Sequence, residues 1–231
     1  PARAVLSLLA LLLVSPLVGA ATLAESDALF EKGLYQEALK AYAPLLKNTD
    51  SETRLKALYR SVECEVLLFR YAEAAKRVQG LDLPKDPGWR ARLLILKAEL
   101  GREFLKQYRG GSPADEEEET GTEKKDLVRR TPEEWKKEIG GSFRKIYDLK
   151  NEIGKIPLDG EGYFVELRNA ELDLSPTLWD FAVLRWSDYL LNETDAGERA
   201  KPEFLSLLAE DYEGKFSEDG SPISQAAALF E

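Results

Sequence analysis

The chain has 231 residues, 44% hydrophobic and 32% charged, a balance that supports one or two packed domains with real cores. Its formal charge of -10, with no basic stripe of interleaved aromatics, repels phosphate backbones and excludes nucleic acid as the expected partner. With no His and a single Cys, Cys64, these residues cannot make a Ser-His or Cys-His dyad, a His-ligated metal centre, a structural zinc site or an internal disulfide, so no cofactor, metal ligand or catalytic set is expected.

Arg3 is followed by AVLSLLALLLVSPLVGA, an apolar run that ends in small residues, with Val18 and Ala20 placed for an A-x-A-like cut. The run falls short of a bilayer span of about 20 residues, and Ser15, Pro16 and Gly19 interrupt its end. Residues 1–20 are therefore expected to be a cleaved signal peptide, and the protein to be exported to the periplasm or cell surface. Membrane contact follows only if this segment is retained as an anchor. No Cys sits just after the cut, which argues against a lipoprotein. The sequence contains no Met, even at position 1, and it stops at SQAAALFE inside the opening of a helix. It thus reads as a piece of a longer protein, truncated at its C-terminus.

Residues 21–109 carry the repeat signal. In ESDALFEKGLYQEALKAYAPLLKN, Leu29 and Phe30 end one amphipathic helix, Gly33 and Tyr35 sit in a turn, and Ala38, Tyr42 and Leu45 stripe the next helix. A second copy, with Tyr71, Ala74 and Val78 standing for Tyr35, Ala38 and Tyr42, follows at an offset of 71 - 35 = 36 residues. Phe69 occupies the glycine position there, and Pro44 is expected to kink its helix. The pattern resembles the tetratricopeptide repeat: glycine for the tight turn, tyrosine in the gap between helices, and a small alanine where backbones approach. Cys64, in SVECEVLLF, reads as a small core residue.

Asp86 and Pro87 are placed to cap and open a third long helix. GGSPADEEEETGTEKKD, residues 110–126, has no apolar period and a run of Glu, and is expected to be a disordered, solvated acidic loop. Residues 127–231 are expected to continue the helical array. Thr131 and Pro132 open a helix striped by Trp135, Ile139, Phe143 and Ile146, and a patch around Tyr163 to Leu167 is compatible with a strand or a helix start. Gly160-Glu161-Gly162 lacks the third glycine and the preceding strand of a dinucleotide motif and reads as a turn.

SPTLWDFAVLRWSDYLL opens with Ser175 and Pro176, expected as N-cap and first helical residue. At 100° per residue Leu178, Trp179, Ala182, Val183, Trp186, Tyr189 and Leu190 share one arc, Asp180 and Ser187 lie opposite, and Leu184 and Leu191 are apolar even on the far side. A helix this apolar is expected to be core rather than the wall of a ligand pocket. The fold class expected is thus all-α: a tetratricopeptide-like array of helical hairpins, a right-handed α-solenoid, interrupted by the acidic loop.

The run Pro176-Thr177-Leu178-Trp179-Asp180-Phe181, continuing past Trp186 to Asp188-Tyr189-Leu190, resembles a segment in the N-terminal helical region of large bacterial alpha-2-macroglobulin-family proteins. The resemblance covers mainly residues 130–231. It implies a surface or periplasmic protein that entraps or inhibits proteases, with bait and thioester functions outside these residues, since no Cys-Leu-Glu-Gln type motif is present. It also points to bacteria, which makes the sequon Asn192-Glu193-Thr194 coincidental. The expected function is a non-catalytic scaffold or interaction region whose partners are protein: further domains of the same chain or an exported protein. The alternatives are a free-standing exported tetratricopeptide adaptor and a hydrolase using two carboxylates, for which Asp159, Glu161 and Asp180 are the candidates.

Overall fold

In the computed structural model, residues 21–108, 130–167, 172–193 and 222–230 are described. The expected signal segment, the acidic loop, residues 194–221 and Thr194 of the sequon lie outside them. Thr22 is the N-cap of the first helix. Its hydroxyl accepts from the amide of Glu25, whose carboxylate accepts in return from the Thr22 amide, a capping box that starts α1 (Leu23–Glu31). Gly33 then takes a left-handed φ of 74°, and α2 (Tyr35–Tyr42) returns antiparallel. Tyr35, expected in the turn, is the first residue of α2, where its ring meets Phe30 edge-on at 5.4 Å. Pro44 supplies no amide, so α2 tightens after Tyr42 into a 3-10 turn over Ala43–Lys47.

Asp50 caps α3 (Ser51–Leu67) by accepting from the Thr53 amide at 2.8 Å, and Asp86 caps α5 (Pro87–Tyr108) by accepting from the Trp89 amide at 2.7 Å. The caps are 86 - 50 = 36 residues apart, the same offset that separates the two turns. Between these helices Phe69 bends into α4 (Tyr71–Gln79) with φ 59°, the conformation Gly33 adopts in the first hairpin. The turn hydrogen bonds coincide position for position: Gly33 and Leu34 donate to the carbonyls of Phe30 and Leu29, and Phe69 and Arg70 to those of Val66 and Glu65. Ala38 and Ala74 are both fully buried.

α1 packs on α3 and α3 on α5, while α2 and α4 fill the clefts between them. Two cores result. The smaller joins Ala38, Tyr42, Leu45, Ala57 and Cys64; the larger centres on α5 and runs on through α6 (Pro132–Tyr147) and α8 (Leu178–Glu193). Glu65 is buried against Arg77, which donates through Nε at 3.0 Å and Nη2 at 2.5 Å, so a paired charge ties α3 to α4 beside the apolar packing of Val62, Ala74 and Val78.

Thr131 caps α6 with a second capping box, to Glu134, and Trp135, Ile139, Phe143 and Ile146 all face α5 or α8 in the core. A four-residue helix α7 (Lys150–Ile153) and a 3-10 turn at Leu158–Glu161 follow. The patch from Tyr163 to Leu167 is neither strand nor helix but a turn and irregular chain, because its backbone is committed locally: Phe164 and Val165 both donate to the Glu161 carbonyl.

α8 starts two residues later than Ser175-Pro176 would place it. Leu158 donates to the Pro176 carbonyl and Leu178 to the Ile156 carbonyl, and this bridge holds residues 176 and 177 extended. Thr177 is the cap instead. Its hydroxyl accepts from the Asp180 amide, and Asp180 Oδ2 accepts from the Thr177 amide and hydroxyl at 2.9 and 2.6 Å. Trp186 stacks on Phe143 at 5.7 Å, and Tyr147 meets Trp179 and Trp186 edge-on. Ser187, placed opposite the apolar arc by periodicity, is buried, and its hydroxyl has no partner among the described residues. A last helix, α9 (Pro222–Ala228), packs on α8 and adds Ala226 to the larger core. The described secondary structure is helical, with no strand among the described residues, so the chain is all-α.

Candidate interaction groove

α3 turns one stripe of side chains away from α2 and α4: Glu52, Lys56, Tyr59, Arg60 and Glu63, spaced three or four residues apart or adjacent, as one helix face requires. α1 contributes Asp27 and Phe30 to the same face, and α5 contributes Trp89 and Arg92. Residues 161–164, Glu-Gly-Tyr-Phe, lie across all three helices.

Each side chain of that segment has its own seat. Glu161, 3% exposed, accepts from Arg92 Nε and Nη2, both at 2.6 Å. Tyr163 donates from its hydroxyl to Asp27 Oδ1 at 2.9 Å, with the Arg60 guanidinium 4.4 Å from its ring centroid and Lys56 Nζ 5.1 Å away. Phe164 meets Tyr59 and Trp89 edge-on, each at 5.0 Å, and the Arg92 guanidinium lies 4.7 Å from its ring. Its carbonyl accepts from the Tyr59 hydroxyl at 3.3 Å. The walls are themselves braced. Trp89 Nε1 donates to Glu52 at 2.6 Å, Arg60 pairs with Glu63 at 2.8 Å and lies 4.3 Å from the Phe30 ring, and Tyr42 donates to the same Asp27 oxygen at 2.5 Å.

The electrostatics follow from burial beside charge. Burial and the Asp27 carboxylate hold the phenols of Tyr42 and Tyr163 well above the usual tyrosine range, so both remain donors. Burial pushes the Cys64 thiol up to about 12, which keeps it an uncharged core group. Burial also pushes the Glu63 carboxyl up to about 7, with the Arg60 guanidinium pulling the other way.

The residues singled out by pattern fall into two groups. Gly33, Tyr35, Ala38, Tyr42, Tyr71 and Ala74 shape the hairpins, and two of them touch groove residues: Tyr42 through Asp27 and Tyr35 through Phe30. Pro176, Leu178, Trp179, Asp180, Phe181 and Trp186 build α8 and its start, which is bridged to residues 156–158 just ahead of the groove segment. Of the three carboxylates considered for hydrolysis, Glu161 has both oxygens on Arg92, Asp180 is half of a capping box, and Asp159 is exposed.

Asp27, Arg60, Trp89 and Arg92 went unremarked in the pattern. A signal for one of them exists: Lys56 and Arg92 are 92 - 56 = 36 residues apart, one repeat, and each lies over one ring of the consecutive pair Tyr163 and Phe164. No family model, curated protein or solved structure matches the chain.

Proposed function

We propose that this chain is a non-catalytic helical scaffold and interaction region of an exported bacterial protein, the N-terminal part of an alpha-2-macroglobulin-like protease-trapping protein. The observation that carries the interaction role is the seating of residues 161–164 across α1, α3 and α5. α3 and α5 present cations at repeat spacing, Lys56 and Arg92, α1 adds the Asp27 carboxylate, and together the three helices hold an irregular polypeptide by its side chains. The wider identity draws its support from the Pro-Thr-Leu-Trp-Asp-Phe run and the leader-like residues 1–20. The solenoid arrangement expected of the repeats belongs to the same reading.

The source DNA read beyond the codon for Glu231 tests it: a long frame encoding β-sandwich domains is expected, and a stop codon at that point would reject the macroglobulin reading. The second reading, a free-standing tetratricopeptide adaptor, is favoured by the groove itself and would gain if that stop codon were found. Export is checked by N-terminal sequencing of the mature protein from the periplasmic or surface fraction, which is expected to begin after Ala20.

A further inference from the structure

The segment lying on α1, α3 and α5 has the character of a ligand more than of core. Its two rings are only half-buried, whereas Phe104 and Phe143 in the core are closed off almost completely. Its hold is a set of discrete side-chain contacts: one bidentate ion pair, one phenol on a carboxylate, two rings under cations and one hydroxyl on a backbone carbonyl. Gly160 and Gly162 flank Glu161, and a side chain added at Gly160 would meet nothing.

The fit is also incomplete. Arg60 is the one wall residue stacked on rings from both α1 and the segment, yet its Nε is buried without a hydrogen-bond partner among the described residues. A buried donor left unpaired is costly, and a ligand offering an acceptor at that point would remove the cost.

We infer that the face of α1, α3 and α5 is a binding site for an acidic–aromatic polypeptide segment, a carboxylate followed by two aromatic side chains in the pattern Glu-x-Tyr-Phe, and that residues 161–164 occupy it in cis until a partner segment of that chemistry displaces them. The inference rests on reading the chain as an interaction region. It adds the chemistry of what is bound: Arg92 selects the carboxylate through its planar fork, Asp27 selects a phenol over a phenyl ring, and the Tyr59–Trp89 corner takes an aromatic edge. The cis segment lowers apparent affinity by the fraction of time the groove stands open.

The test uses the full chain and a fluorescent peptide of residues 156–167, IPLDGEGYFVEL. The variant Tyr163→Ser/Phe164→Ser, checked for unchanged helical circular dichroism, is expected to bind the peptide about tenfold or more tighter than the unaltered chain. Changing Glu161 to Gln in the peptide is expected to abolish the gain. A folded variant that binds no tighter than the unaltered chain would overturn the proposal.

Should the double variant not fold, amide exchange of the unaltered chain decides. The Phe164 and Val165 amides are expected to exchange by local opening, well before those of Leu93 to Ala98 in α5; exchange only with global unfolding would reject a displaceable segment. Dimers of the unaltered chain that dissociate on Tyr163→Ser would assign the groove to a second copy and overturn the separate partner. The outcome is independent of the reading frame beyond Glu231: a stop codon there rejects the macroglobulin identity and leaves the peptide result standing.

Discussion

Two residues do work that their type alone would not suggest. Phe69 stands where the first hairpin has glycine, with φ 59° and its ring 76% exposed. A side chain in the left-handed region costs about 1–2 kcal/mol, whereas glycine adds unfolded-state freedom worth about 0.4–1 kcal/mol. The edge contact with Tyr71, at 6.3 Å and largely solvated, adds little. Phe69→Gly is therefore expected to raise stability by about 0.5 kcal/mol in urea denaturation, while Arg70→Gly, one residue on with φ -96°, lowers it. A less stable Phe69→Gly would refute the strain.

Glu63 is the second. In the folded state its carboxyl keeps a proton up to about 7, and in the unfolded chain it releases that proton near the ordinary value of 4.5. Between those values the native state binds more protons than the unfolded one, so stability falls as pH rises through this window. With Arg60 opposing and the group partly exposed, the fall is on the order of 1–2 kcal/mol. Glu63→Gln is expected to flatten it when denaturation midpoints are compared at the two ends of the window, and an unchanged slope would place the titration elsewhere.

At the scale of elements, α5 packs closely on α6 at Gly101. A Cβ at Gly101 would stand 2.8 Å from Cγ1 of Ile139, which is 1% exposed, and Phe104 stacks on Trp135 at 4.6 Å one turn on. Alanine at a mid-helix glycine normally gains about 1 kcal/mol in helix propensity, but overpacking a rigid core costs about 1–3 kcal/mol. Gly101→Ala is expected to lose about 1 kcal/mol in thermal or urea unfolding. Paired with Ile139→Ala it should lose less than the two single changes summed, and strict additivity would argue against the clash.

Helix starts were legible along the sequence wherever the cap is local: Asp86-Pro87 and Thr131-Pro132 open α5 and α6 where pattern places them. The start of α8 was not, since the bridge to residues 156–158 keeps Pro176 and Thr177 extended and no local rule carries that contact. Ser187, on the polar side of the helical wheel, is buried as well, because a wheel carries no record of the further helix, α9, that packs on α8.

Across the whole molecule, the Arg92–Glu161 pair joins residues 69 positions apart and is the main polar tie between the repeat helices and the segment leading to α8. Removing one partner leaves the other charge buried, at a cost of about 3–5 kcal/mol, whereas removing the charge from both costs far less. Arg92→Ala is expected to destabilise strongly, and Arg92→Ala/Glu161→Gln to recover at least about 1 kcal/mol of that loss in a double-mutant cycle. A double variant no more stable than Arg92→Ala alone would show that the pair does not couple the two parts.

What the sequence determined by itself is whatever depends on neighbours a turn or a repeat away. The all-α class, the glycine-type turn echoed at Phe69, the buried alanines Ala38 and Ala74, and the apolar arc of α8 all follow from periods of 3.6 and 36 residues that the chain carries openly. Only tertiary structure decided that Glu161, Tyr163 and Phe164 lie across α1, α3 and α5, that Asp27 serves two tyrosines, and that Glu65 is buried in a charge pair with Arg77. Contacts between residues up to 136 positions apart leave no local period, because burial and charge pairing depend on which surfaces meet after the helices have packed.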